Sequence, residues 1–200
     1  MISGTNNLKS TGFPELKKLI YRRGLMDRQP GYYLPKIVFN LSLLAVSIGL
    51  LTIIDGFLLH IANAVFFTFA FGQIAFLGHD AGHLQIFSSN RKNERIGLFL
   101  SFLLGVDRTW WVTKHNQHHA YPNNLDLDPD ADLPVIGFTK EQVLKKTGIL
   151  RLIVKYQAYL FFPMLCFEGI GLRIGGTLFL FRNKGKYPWI EPFLLVLHFA

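Results

Sequence analysis

The sequence predicts an all-α integral membrane protein, a transmembrane helical hairpin with a histidine-rich region at its cytoplasmic end. Three observations predict it. Across residues 41–78 the only charged side chain is Asp55, and that run is longer than the ~20 apolar residues that cross a bilayer core. Basic residues flank the run on both sides and are absent from its middle. Five of the seven histidines fall into two clusters just beyond it, His79 with His83 and His115 with His118 and His119. Composition agrees: half of the 200 residues are hydrophobic, 19 are Phe, 17% are charged, and the mean hydropathy is +0.27.

Residues 1–34 read as a cytoplasmic and interfacial segment. Its basic, largely polar start lacks the early apolar core of a cleaved signal. Phe13-Pro14 followed by Leu16, Leu19 and Ile20 predicts a short amphipathic helix lying near the interface. Arg28-Gln29-Pro30-Gly31 breaks that helix, and Tyr32-Tyr33 fall where an aromatic belt is expected. Residues 35–78 form the hairpin, with helices over 35–54 and 57–78 joined at the turn pair Asp55-Gly56. Lys9, Lys17, Lys18, Arg22, Arg23, Arg28 and Lys36 precede the first span, and Arg91, Lys92, Arg95, Arg108 and Lys114 follow the second. The positive-inside rule therefore puts both flanks and both histidine clusters in the cytoplasm, with Asp55 outside. The net charge of +8 is accounted for by anionic lipid heads or an acidic redox partner, without nucleic acid.

Residues 79–149 read as cytoplasmic-side helices and a loop holding both clusters. The apolar run 93–106, at fourteen residues, is too short to span and predicts a helix lying on the membrane. Residues 121–147 are polar and rich in Asp and Pro, a loop with one Lys-rich helical piece over 139–146. Residues 150–186 carry Glu168, Arg173, Pro163 and several glycines within apolar sequence, and read as interfacial or re-entrant. Glu168 and Arg173 either pair with each other or touch a lipid head group. Residues 187–200 begin a further transmembrane helix that is still apolar at Ala200, so an N-terminal fragment is expected. The single cysteine, Cys166, fits apolar packing in a reducing compartment.

On a helix His79 and His83 (i, i+4) share one face, and His115, His118 and His119 (i, i+3, i+4) share another. Neutral imidazole ligates iron, zinc, copper and nickel, and burying five imidazoles without a metal leaves many ring nitrogens needing partners. The zinc-protease pattern His-Glu-x-x-His is not matched, because Asp80 follows His79. The Glu-x-x-His pairs of soluble di-iron bundles are absent. Five histidines exceed the three or four protein ligands of one zinc site, so two metals held almost wholly by imidazole fit best. Asp80, Asn116 and Asp130 are candidates to orient imidazole N–H groups from behind. A solvated loop is the plainer reading of Asp126 and Asp128. Trp110 and Trp111 suit either the lining of an apolar path or interfacial anchoring. His60 and His198 read as a lone interfacial residue and a packed neutral histidine.

His-x-x-x-His in "GHDAGH", followed by His-x-x-His-His in "KHNQHHAYPNNLDLDPD", resembles the first two histidine boxes of the membrane fatty acid desaturases, a superfamily that also includes membrane hydroxylases. The resemblance spans about residues 32–132, and the stretch from Trp110-Trp111 to Asp130 is most like the acyl-lipid and linoleoyl-CoA branch. It implies a non-haem di-iron centre ligated by His79, His83, His115, His118 and His119, with no catalytic residue beyond the metal ligands. It also implies O2 as co-substrate, an acyl-lipid or acyl-CoA substrate in the bilayer, and electrons from ferredoxin or cytochrome b5. The family's third box, His/Gln-x-x-His-His, does not occur within these residues, and no His-Pro-Gly-Gly haem motif of a fused cytochrome b5 does either. A hydroxylase of an alkane, sterol or carotenoid shares the boxes. A histidine-rich metal transporter would instead place histidines inside the spans.

Overall fold

Pro30 rather than Pro35 starts the first long helix. In the computed structural model, which describes residues 12–182 and 185–200, the ten helices among those residues divide between two compact units. The first unit is Met1–Ala70 with His79–Glu94, the second Phe71–Gly78 with Arg95–Ala200. Among the described residues every regular element is helical.

The first unit opens with α1, Phe13–Arg22, whose Phe13, Leu16 and Leu19 are all exposed. Helix α2, Pro30–Leu50, takes Pro30 at its first position, where the missing N–H has no intrahelical partner to lose. Pro35 lies one turn further in and is passed without a break; this early in a helix proline forfeits only one bond. Tyr33, Ile37, Asn40, Leu44 and Ser47 form its buried stripe, spaced alternately four and three apart as a helix packed along one side requires. Gly56, at φ 101°, makes the turn into α3, Phe57–Gly82. The hairpin is fastened by a buried polar pair: Ser47 Oγ donates to Asn63 Oδ1 and Asn63 Nδ2 donates to the Ser47 carbonyl, both at 3.0 Å. Helices α2 and α3 are each long and apolar enough to cross a membrane, with a mean hydropathy of 1.6.

Helix α3 runs one turn beyond the predicted stop at residue 78. His83 is its C-cap, and Leu84 follows in the left-handed region at φ 58°. The amides of Leu84 and Gln85 return to the carbonyls of Ala81 and Asp80, the paired bonds of a Schellman ending. Asn93 then locks the turn. Its buried amide accepts from the N–H groups of Ile86 and Phe87 and donates to the carbonyls of Leu84, Phe87 and Ser89.

In the second unit the later part of α3 packs on α4, Asn90–Leu104; Ile74, Leu77 and Leu100 are fully buried there. Gly105, at φ 64°, ends α4, and a Cβ at this position would sit 2.4 Å from the His198 ring. Next come α5, Arg108–Ala120, the short α6, Lys140–Lys145, and α7, Gly148–Lys155. Thr139 and Gln142 close a capping box at the start of α6. Helices α8, Gln157–Leu165, and α9, Glu168–Arg182, meet at a 73° bend, and only together are they long enough to span. Helix α10, Ile190–Phe199, carries His198. Arg173 does not pair with Glu168. It donates to the carbonyls of Gly169 and Leu104, because five residues along a helix turn the side chain past its neighbour, while the α4 end offers orphan carbonyls.

Candidate metal centre

The first unit contributes His79 and His83, in the last turn and at the cap of α3. Their ring centroids lie 4.6 Å apart. Asp80 sits behind them: one carboxylate oxygen is 3.2 Å from His79 Nδ1, and the other accepts from the Tyr33 hydroxyl at 2.9 Å. His83 also lines a cavity of about 400 Å³ shared with Asp27, Arg28, Gln29 and Tyr33. Arg28 ties that cavity's wall to the turn before α4, donating to the Ser88 carbonyl and to Asn90 Oδ1.

The second unit contributes α5, and two acids fix where that helix begins. Asp107 is the N-cap, accepting from the Trp110 amide at 2.6 Å. Glu191, also buried, accepts from both the amide and the hydroxyl of Thr109 at 2.8 Å. Carboxylates suit a helix N-terminus, where unpaired N–H groups concentrate positive potential. Burial, reinforced by the Glu191 charge and opposed by the Trp110 amide, pushes the Asp107 carboxyl up to about 6. Gly175 and Gly176 of α9 make room for this end of α5. A Cβ on Gly175 would lie 2.5 Å from the Trp110 ring, and one on Gly176 3.0 Å from Asp107 Cβ.

Along α5, His115 and His119 point their Nε2 atoms at each other, 3.0 Å apart. Trp111 stacks on His115, with centroids 4.4 Å apart and an 18° interplanar angle. His118 faces elsewhere: its Nδ1 lies 3.0 Å from each oxygen of Asp128 and 3.6 Å from Asp130. The Asp128 carboxylate is buried, which pushes its pKa up. The Asp130 amide, the His118 ring and the Asn123 amide outweigh that and hold it below the usual carboxylate range. Asp130 is paired with Lys114. Asp126 is exposed, and Asn116 is exposed with no side-chain hydrogen bond among the described residues. His60 is exposed near the start of α3, and His198 is half-buried against Phe102.

Imidazole nitrogens are donors that iron accepts. Two donors at right angles on one ion, each at about 2.1 Å, stand about 3 Å apart, the separation of the His115 and His119 nitrogens. The residues fit a metal.

A helical membrane protein with imidazoles clustered at helix ends is the class that fold and site define. The comparisons make it specific. The fatty acid desaturase family profile matches residues 55–200, and the chain belongs to that family. It is 28% identical over 192 residues to a Delta(8)-fatty-acid desaturase of Helianthus annuus, covering 90% of this chain and 42% of that protein. It is 35% identical over 170 residues to a Delta(6)-fatty-acid desaturase of Caenorhabditis elegans, covering 80% and 37%. An acyl-lipid (9-3)-desaturase of Borago officinalis is 26% identical over 186 residues, covering 85% and 42%. The chain thus spans about two fifths of the length of these relatives. No solved structure matches it. The family generally uses iron, and the histidine clusters could hold a metal ion.

Proposed function

We propose that the protein carrying this chain is an O2-dependent fatty acyl desaturase that introduces a double bond into a membrane-associated acyl chain. The observation that carries the reading is the set of five imidazoles, His79 and His83 in one unit and His115, His118 and His119 in the other, within a fatty acid desaturase match. Two iron ions would take imidazole ligands from these five residues, with the remaining ligands expected from the family's third box, which these residues do not contain. When bound, the ions supply the O2-derived oxidant that an unactivated C–H bond requires, since side-chain acids and bases have no acidity or leaving group to work on there. The chain's own side chains hold and orient. Asp80 and Tyr33 sit behind His79, and Trp111 fixes the plane of His115. An apolar cavity of about 430 Å³ in the second unit, lined by Trp110, Phe161, Met164, Leu165 and Leu172, offers room for an acyl tail next to α5. Electrons arrive from a ferredoxin or a cytochrome b5, and the metal side is cytoplasmic.

The test is a fatty acid profile, by mass spectrometry, of a host expressing the whole gene with ferredoxin and reductase. A new double bond that disappears in His118→Ala is expected and gives its position. A hydroxylated product would transfer the protein to the sister chemistry. Good expression with neither product nor bound iron would overturn the reading.

A further inference from the structure

We propose that Asp128 is a positioning residue for His118: its carboxylate holds the imidazole by Nδ1–H and leaves Nε2 as the lone pair presented to a metal. The inference rests on His118 being a metal ligand, as proposed above, and adds a residue whose sequence context is that of a solvated loop.

Burial and hydrogen bonding carry it. The Asp128 side chain is 2% exposed, and a buried carboxylate persists only when its lone pairs are taken up. Three N–H groups take them up. Oδ1 faces His118 Nδ1 and accepts from the Asp130 amide, while Oδ2 faces the same Nδ1 and accepts from the Asn123 amide, so the single Nδ1–H is shared between the two oxygens. Asp128, Asp130 and His118 lie close enough to share an ion, but each oxygen of Asp128 is already held by a backbone amide and faces the His118 ring. An ionised Asp128 accepts and cannot donate, so the proton of a neutral His118 resides on Nδ1. Nε2 makes no hydrogen bond among the described residues.

The segment after α5 is built around this carboxylate. Asn123 takes the left-handed conformation at φ 62°, which Asn tolerates better than most residues. Asn124 accepts from the amides of Asp126 and Leu127, and Gln117 of α5 reaches the Leu127 carbonyl at 2.7 Å. The loop is therefore pinned back onto the helix it serves, next to His118. Asp130 lacks this arrangement: it is 39% exposed, further from the ring, and engaged by Lys114.

The experiment uses the whole protein in detergent and compares wild type with Asp128→Ala, Asp128→Asn and Asp130→Ala. In metal-free protein at about pH 8.5, above the imidazole range, nitrogen NMR of labelled histidine should find His118 protonated on Nδ1. In Asp128→Ala the Nε2-protonated form should appear. Iron retention against a chelator should fall about 10–100-fold in Asp128→Ala and stay near wild type in Asp130→Ala. Should Asp128→Ala not fold, Asp128→Asn keeps the shape and sets an N–H against one backbone amide, so iron retention must still fall. Wild-type tautomer and retention in a folded Asp128 variant would overturn the proposal, as would an equal loss in Asp130→Ala. A wild type that binds no iron would overturn the functional reading instead, and the tautomer of the metal-free protein would still decide whether Asp128 orients His118.

Discussion

At Asp107 two requirements conflict, because the N-cap of the histidine-bearing α5 favours an anion while burial and the Glu191 charge oppose one. The compromise is a carboxyl raised from 3.8 to about 6. A folded-state value above the unfolded one means that the folded state holds the proton more tightly. The resulting stability is complete below about 3.8 and is lost as pH rises through about 6. Asp107→Asn keeps a capping side chain and removes the ionisation. Its thermal midpoint in detergent should therefore change less with pH across that window than the wild type's. Parallel slopes would assign the pH dependence to another group. Neither acid's role is legible from spacing: Glu191 is 82 residues from Thr109, and Asp107 reads simply as a polar residue after Gly105. The His79–His83 and His115–His119 pairs and the His79–Asp80 contact were legible because those partners lie within one helical turn, whereas the Asp128 contact of His118, ten residues away, was not.

Between elements, the placement of α5 depends on α9 presenting hydrogen atoms where side chains would stand. Gly175→Val drives a branched side chain into the Trp110 ring, which lies 2.5 Å from the first added atom. Overpacking of this kind costs about 1–3 kcal/mol, and unfolding in graded denaturant should register a loss of that size. The loop that leaves α3 gives a second case. Asn93→Ala strips the acceptor from the Ile86 and Phe87 amides; the Ile86 amide is buried, and such a donor costs about 1–3 kcal/mol when orphaned. Hydrogen exchange at those two amides should accelerate while exchange near Asn63 does not. The helices themselves were largely legible: charge-free runs, Asp55-Gly56 and Thr139 mark where they lie or turn. The start of α2 was not, because Pro30 and Pro35 are both tolerated in early turns, and local signals do not choose between them. The bend after α8 was legible as interrupted apolar sequence around Pro163. The Arg173 contact with Leu104 was not, since it joins residues 69 apart.

For the molecule as a whole, the strongest sequence signal is the asymmetry of charge about an apolar hairpin, and it predicts an orientation that can be measured. Asp55 and Gly56 lie at the turn between α2 and α3, and exposed Gln85 lies just past the opposite end of α3. A helix of 26 residues rises about 39 Å at 1.5 Å per residue, enough to put its two ends on different sides of a hydrocarbon core of about 30 Å. Basic residues gather at the Gln85 end, before α2 and after α3, and none occurs at the turn, so the positive-inside rule predicts a cytoplasmic position for that end. With the lone Cys166 replaced by Ser, Asp55→Cys should react with an impermeant maleimide in intact cells. Gln85→Cys should react only after the membrane is opened. The reverse pattern would place His79 and His83 on the outer face, away from cytoplasmic ferredoxin or cytochrome b5, and the proposed electron supply would fail with it. Labelling of both sites in intact cells would mean that α3 does not span at all.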